Sequence, residues 1–122
     1  MLTGVILFAH GARDVEWRDP VDRLVALVSK QLPVAEVRAA FLEHMAPALP
    51  EAVAALAGTG MQRLVIVPVF LARGGHLKHD LPRLVDALRA DFPEVDLRVT
   101  PPVGEAEPVL GAMAAWVSAA AT

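Results

Sequence analysis

Val5-Ile6-Leu7-Phe8-Ala9-His10-Gly11-Ala12-Arg13-Asp14 decides the fold of this chain. Its first five residues are apolar without interruption. Such a run reads as a strand buried on both faces, the habit of parallel sheets. It breaks at once into a polar stretch containing a glycine. Beyond that, Val21, Leu24, Val25, Val28 and Leu32 recur at helical spacing and mark one apolar face. Pro33 stops that helix. A strand, a polar turn and a helix make half of a parallel crossover unit.

The same alternation runs outward to the end of the chain. Val34 to Leu42 contains a second strand, made less apolar by Glu36 and Arg38. Glu43-His44-Met45-Ala46 reads as a loop. Pro47 or Pro50 suits a first helical turn, Leu49, Val53 and Leu56 continue it, and Gly58 and Gly60 end it. Leu64 to Phe70 is a third strand. Proline cannot donate to a ladder, so Pro68 confines the regular part to 63–67, with 68–71 as an irregular rim. Leu71 to His76 is the next loop. Leu77, Leu81, Leu84, Val85, Leu88 and Phe92 mark a helix with Lys78 or Asp80 near its start. Val95 to Val99 alternates as a fourth strand. Val109, Met113, Trp116 and Ala120 mark a last helix. The pattern predicts one three-layer α/β domain over residues 1–122, a four-stranded parallel flavodoxin-like sheet of order 2-1-3-4 with helices on both faces.

Composition narrows the function. The 122 residues are 55% hydrophobic and 20% charged, with net charge −3 and mean hydropathy +0.47. Disorder needs the opposite balance, and nucleic-acid binders are normally basic. With no cysteine, thiolate metal sites and a cysteine nucleophile are excluded. The first ten residues lack the basic region of a signal peptide. The apolar stretch 113–121 is far short of the ~20 residues that a spanning helix needs. A soluble, cytoplasmic protein is expected, with neither nucleic acid nor membrane as partner.

Open α/β sheets bind ligands beyond the carboxyl ends of their strands, where the strand order reverses. Here that point lies between strands 1 and 3. His10 follows strand 1, Glu43 with His44 beside it follows strand 2, and His76 follows strand 3. Read singly, each is more often a solvated loop residue than a ligand. Read jointly, His10 and His76 flank the switch point, both beside glycine. Arg13, Arg73 and Lys78 ring the same mouth, a positive rim that suits an anionic ligand. No phosphate-binding G-x-x-x-x-G-K-[ST] or G-x-G-x-x-G occurs, nor a G-x-S-x-G elbow. Two imidazoles and a carboxylate remain, a donor set that suits Fe, Co, Ni, Cu or Zn.

Four segments carry a resemblance. Phe8-Ala9-His10-Gly11-Ala12-Arg13-Asp14, Ala40-Phe41-Leu42-Glu43, Val67-Pro68-Val69-Phe70-Leu71 and Gly75-His76-Leu77-Lys78-His79-Asp80-Leu81-Pro82 resemble the short CbiX-type class II chelatases, the sirohydrochlorin cobalto- and ferrochelatases. The match runs in order over roughly residues 4–104. It departs at Ala12, where that family usually has serine, which removes one hydroxyl hydrogen bond and no metal ligand. The resemblance implies insertion of Co²⁺ or Fe²⁺, with Ni²⁺ a further candidate, into sirohydrochlorin without ATP and without an organic cofactor, in cobalamin or siroheme biosynthesis. His10 and His76 would handle the metal and Glu43 would be the acid–base group. Arg13, Arg73 and Lys78 would clamp substrate carboxylates, with Arg13 ranked first. Phe70 and Leu71, with Leu42 and Met45, would wall the macrocycle, though each could equally be core.

Because long members carry two such domains, the resemblance also implies a homodimer here. The last helix shows apolar residues on more than one side, Val109, Leu110, Met113, Trp116 and Val117. A helix apolar on two sides needs two surfaces to cover it. It is therefore expected in or beside the dimer contact, unless Trp116 caps the monomer's own core. Two rivals stand beside the enzyme. One is a metal- or tetrapyrrole-binding carrier or sensor with no turnover. The other is a plain flavodoxin-like interaction domain with incidental histidines.

Overall fold

The computed structural model describes residues 2–72 and 74–122, with the main chain alone for His76. In chain order the elements are β1 (Thr3–Ala9), α1 (Asp19–Gln31), β2 (Glu36–Phe41), α2 (Leu49–Gly58), β3 (Arg63–Pro68), α3 (Gly75–Asp91), β4 (Asp96–Val99) and α4 (Glu107–Ala120). Short 3-10 segments at Val15–Arg18 and Val103–Glu105 precede α1 and α4. The strands form one parallel sheet in the order β2-β1-β3-β4. This is the expected topology.

β1 is central because its sequence has no polar side to offer. It pairs with β2 from Gly4–Glu36 to Ala9–Phe41, and with β3 from Thr3–Arg63 to Phe8–Pro68. Pro68 ends β3, one residue beyond the expected regular part. It brings no N–H, and the ladder is taken up by Val69, whose N–H donates to the Phe8 carbonyl at 2.7 Å.

Alternation along each strand sends side chains to two cores. Ile6, Phe8, Ala40, Leu64, Ile66 and Leu97 face α2 and α3, where they meet Leu49, Val53, Leu56, Leu81 and Val85. Val5, Leu7, Val37, Ala39 and Phe41 face α1, where they meet Val21, Leu24, Val25 and Val28. α2 starts with Pro50 in its first turn, where a missing N–H costs nothing. The turn after it uses Gly60 at φ +88°.

Two details differ from the sequence expectation. α3 begins at Gly75, so His76 is its second residue rather than a loop residue. The extended Gly74 caps it, and Lys78 N–H already donates to the Gly74 carbonyl at 3.1 Å. α4 adjoins the 3-10 segment before it and buries none of its residues.

Both sheet edges carry charge. On β2, exposed Arg38 and Glu36 pair at 3.5 Å. On β4, Arg89 donates from Nε and Nη2 to the Leu97 carbonyl at 3.3 and 3.0 Å. None of the described helices is long and apolar enough to cross a membrane.

Candidate functional site at the carboxyl end of the sheet

The site begins where β1 runs out. Two further main-chain bonds carry the β1–β2 contact past the strand ends: Leu42 N–H donates to Ala9 carbonyl at 2.9 Å, and Glu43 N–H donates to His10 carbonyl at 3.1 Å. Gly11 makes this possible. It sits at φ +82°, and a Cβ there would drive into the Glu43 carbonyl. Only glycine meets both demands without strain. The residues bearing His10 and Glu43 are thus joined through the backbone.

The His10 side chain is fixed from below. Its ring lies 4.5 Å from that of Phe70, tilted by 42°. Phe70 in turn meets Phe8 edge-on at 5.8 Å, an arrangement that aromatic quadrupoles favour. The three rings lead from the core to an exposed imidazole. Of the two places expected for Phe70, cleft wall or core, the structure gives it the core. It is only 4% exposed and belongs to the α2/α3 core, because it continues the alternation that buries Leu64, Ile66 and Pro68 on that side. Its carbonyl accepts the Gly104 N–H at 3.0 Å, which pins it further.

Beside His10 opens a cleft of about 400 Å³. It is lined by Trp17, Pro20, Val21, Phe41 and Val69 together with residues 9–12. Trp17 was not among the expected site residues. It sits in the 3-10 segment before α1 and is 67% exposed, and an exposed tryptophan so close to His10 was the available signal. Leu71 and Leu42 are exposed near the strand ends, whereas Met45 packs half-buried against the Ala9, Val21 and Phe41 cluster.

The loop after β2 is fastened by a residue the sequence reading passed over. Arg18 donates from Nη1 to the Ala46 carbonyl at 2.6 Å, its guanidinium lies 4.9 Å from the Phe41 ring centroid, and its Nε meets Asp22 at 3.3 Å. Within this loop His44 adopts φ 66°, a left-handed conformation that histidine tolerates better than most side chains. Its Nε2 lies 3.8 Å from Glu43 Oε1, and both side chains face solvent.

Arg13 and Lys78 are exposed, and no hydrogen bond or ion pair among the described residues engages their side chains. They stay available to an anionic ligand. Arg73 and the side chain of His76 lie outside the described residues. The main chain brings His76 to the loop–helix junction after β3, next to the strand that carries His10. Among the described residues no three histidine or carboxylate side chains form a metal cage. The described donors are His10 and Glu43, on neighbouring loops and open to solvent.

The family model CbiX matches residues 4–120. The sirohydrochlorin cobaltochelatase of Methanosarcina acetivorans is 32% identical over 111 residues, 85% of this chain and 85% of that protein. The sirohydrochlorin cobaltochelatase of Saccharolobus solfataricus is 31% identical over 109 residues, 84% of each. For that of Methanococcoides burtonii, at 34% identity, the aligned stretch spans 63% of its length. Among solved structures, a cobalamin (vitamin B12) biosynthesis CbiX protein from Marinobacter aquaeolei superposes with a TM-score of 0.83 at 28% identity, covering 95% of this chain and 94% of that one. SirB from Bacillus subtilis with Fe³⁺ shares the fold, with a TM-score of 0.77 at 23% identity. The match covers 92% of this chain and 44% of SirB.

Proposed function

The chain belongs to the CbiX family, and on that premise we propose that it inserts a divalent metal into sirohydrochlorin without ATP. The observation that carries this reading is His10, an exposed imidazole braced by Phe70 at the rim of an apolar cleft at the switch point of the sheet. Such a site offers a borderline-soft donor for an incoming ion and an apolar surface for part of a macrocycle.

The reaction exchanges two pyrrole N–H protons for one M²⁺, with no redox change and no group transfer, so it needs no organic cofactor. His10 takes the ion from water and presents it to the macrocycle face, and His76 serves the same ion from the β3 side. The open donor set suits this task, because an ion held in a closed cage would not be passed on. Glu43 accepts the displaced protons, directly or through His44. Arg13, with Arg73 and Lys78, binds substrate carboxylates. Leu71 and Trp17 border the ring. Co²⁺ and Fe²⁺ are the metals this reading favours, with Ni²⁺ as a third, and cobalamin or siroheme biosynthesis in the cytoplasm as the setting. The cleft is small for a tetrapyrrole, so the working unit is a homodimer whose second copy completes the mouth.

The test follows the optical spectrum of sirohydrochlorin with Co²⁺, Fe²⁺ and Ni²⁺ in turn, in the absence of ATP. Insertion above the uncatalysed rate is expected. His10→Ala and His76→Ala should each lose roughly 10²-fold or more in rate with an unchanged melting temperature. Full activity in both variants overturns the assignment. Tight binding of metal and macrocycle with no rate increase makes the chain a carrier instead.

A further inference from the structure

The Glu43 carboxylate has little of its own to aim it. Its side chain is 60% exposed, and among the described residues its one partner is His44, at 3.8 Å. Its direction therefore depends on the backbone that bears it. At the near end of that loop, Leu42 and Glu43 N–H donate to the Ala9 and His10 carbonyls, and Phe41 N–H closes the loop on the Pro47 carbonyl at 2.9 Å. Residues 43–46 lie between these ties in neither helix nor strand. Among the described residues, one further hydrogen bond reaches this stretch from outside, that of Arg18 Nη1 to the Ala46 carbonyl at 2.6 Å.

Arg18 is itself held on every side. It ends a 3-10 segment that Asp14 caps, accepting Glu16 N–H on Oδ1 at 2.9 Å and Trp17 N–H on its carbonyl at 3.1 Å. Its Nε meets Asp22, one turn along α1, at 3.3 Å. The guanidinium lies over the ring of Phe41, which is only 1% exposed. One planar group thus engages α1 by an edge, the Glu43 loop by a second donor and β2 by its face. A flat fork with fixed charge can do all three at once, whereas a lysine ammonium offers a single point charge. A charged donor also makes the bond to the Ala46 carbonyl stronger than a neutral one would.

Arg13 and Arg18 have opposite settings. Arg13 is exposed and free toward the mouth, whereas Arg18 is half-buried and does not line the His10 cleft. Its contacts all point into the protein's own chain.

We propose that Arg18 is a positioning residue for metal insertion, one that touches neither the ion nor the macrocycle. By tying Ala46 to the start of α1 it fixes the backbone of residues 43–46, and with it the direction of the Glu43 carboxylate relative to His10. A base takes a proton only within hydrogen-bond reach, and a misplacement of about 1 Å can cost about 10²-fold in rate. This inference rests on the acid–base role given to Glu43 above.

The test combines insertion kinetics for Arg18→Ala, Arg18→Lys, Glu43→Gln and the double variant Arg18→Ala/Glu43→Gln with amide exchange measured without substrate. Arg18→Ala should lower kcat about tenfold or more while KM for sirohydrochlorin stays within about twofold. Arg18→Lys, which keeps one charged donor for Ala46, should recover part of that loss. In the Glu43→Gln background Arg18→Ala should add little, since it acts through a carboxylate already gone. The Phe41 and Glu43 amides, which frame the loop, should exchange faster in Arg18→Ala, with the amides of β1 and β3 unchanged. Melting temperatures check each variant, and Arg18→Gln takes the place of the alanine variant if that one does not fold. Additive losses in the double variant, an unchanged kcat, a rise in KM alone, or a lysine variant no faster than the alanine one would each overturn the proposal. So would unchanged exchange at Phe41 and Glu43, whichever way insertion goes. A wild-type chain that inserts no metal overturns the chelatase reading instead. Full activity in Glu43→Gln removes the acid–base role and this inference with it, and leaves insertion through His10 standing.

Discussion

The two sides of the sheet are finished to different degrees. On the α2/α3 side, Ile6, Phe8, Val53, Leu64 and Ile66 are each no more than 1% exposed, and two helices close the layer. On the other side one helix covers two of the four strands, and the remaining strip meets solvent. The closed side supplies the monomer's stability. The open side holds the His10 cleft and the half-buried strip of Val65, Val67 and Val69. The closed core and the open cleft are thus divided between faces, although the residues responsible alternate along the same strands.

Adjacent residues of β3 test this division most strongly. Ile66→Ala should cost about 2–5 kcal/mol, the range for a fully buried aliphatic side chain. Val67→Ala should cost about 1 kcal/mol or less in a dilute monomer, since its side chain is only partly buried. Urea midpoints at two protein concentrations read the pair. If both substitutions prove equally costly at high dilution, the α1 side is better packed than its exposure indicates.

An intermediate effect is expected where the loops after β1 and β2 meet. Gly11→Ala forces a Cβ into the left-handed region at about 1–2 kcal/mol and against the Glu43 carbonyl. The melting temperature should fall by several degrees, and insertion rate should fall by at least tenfold as His10 and Glu43 move apart. An unchanged rate would show that this backbone junction does not set the site.

The smallest effect belongs to the rim. Arg13→Ala should weaken sirohydrochlorin binding at low salt and matter little at high salt. An exposed charge acts over a Debye length of only ~10 Å at 0.1 M ionic strength. Equal loss at both salt concentrations, read by titration, would give Arg13 a structural role instead.

The sheet order was legible because the apolar runs at β1 and β3 and the more polar β2 and β4 state which strands are central and which are edges. The positions of His10, Glu43 and His76 at one end followed from that alternation. Phe70 was legible in part: the alternation through Leu64, Ile66 and Pro68 runs on to it and assigns it to the core, and only the end of the regular strand left the cleft wall open as an alternative. Arg18 was hidden for another reason: its partners Phe41 and Ala46 are distant in sequence, and nothing local marks the strap. The start of α3 was displaced because Gly74-Gly75 reads as loop, although an extended glycine also serves as a helix cap.

The Arg89 side chain on the Leu97 carbonyl has a further consequence. β4 is an edge strand, and an open edge is a template on which another chain can add a strand. Two guanidinium donors already occupy that acceptor, and the paired Asp96 and Arg98 put charge along the same margin. At the opposite margin, burying the Glu36–Arg38 pair would carry a desolvation cost. Lateral growth into a continuous ribbon is therefore disfavoured at both ends of the sheet. A molecule so guarded can display bare apolar surface on one broad side without offering its sheet as a template for a fibre.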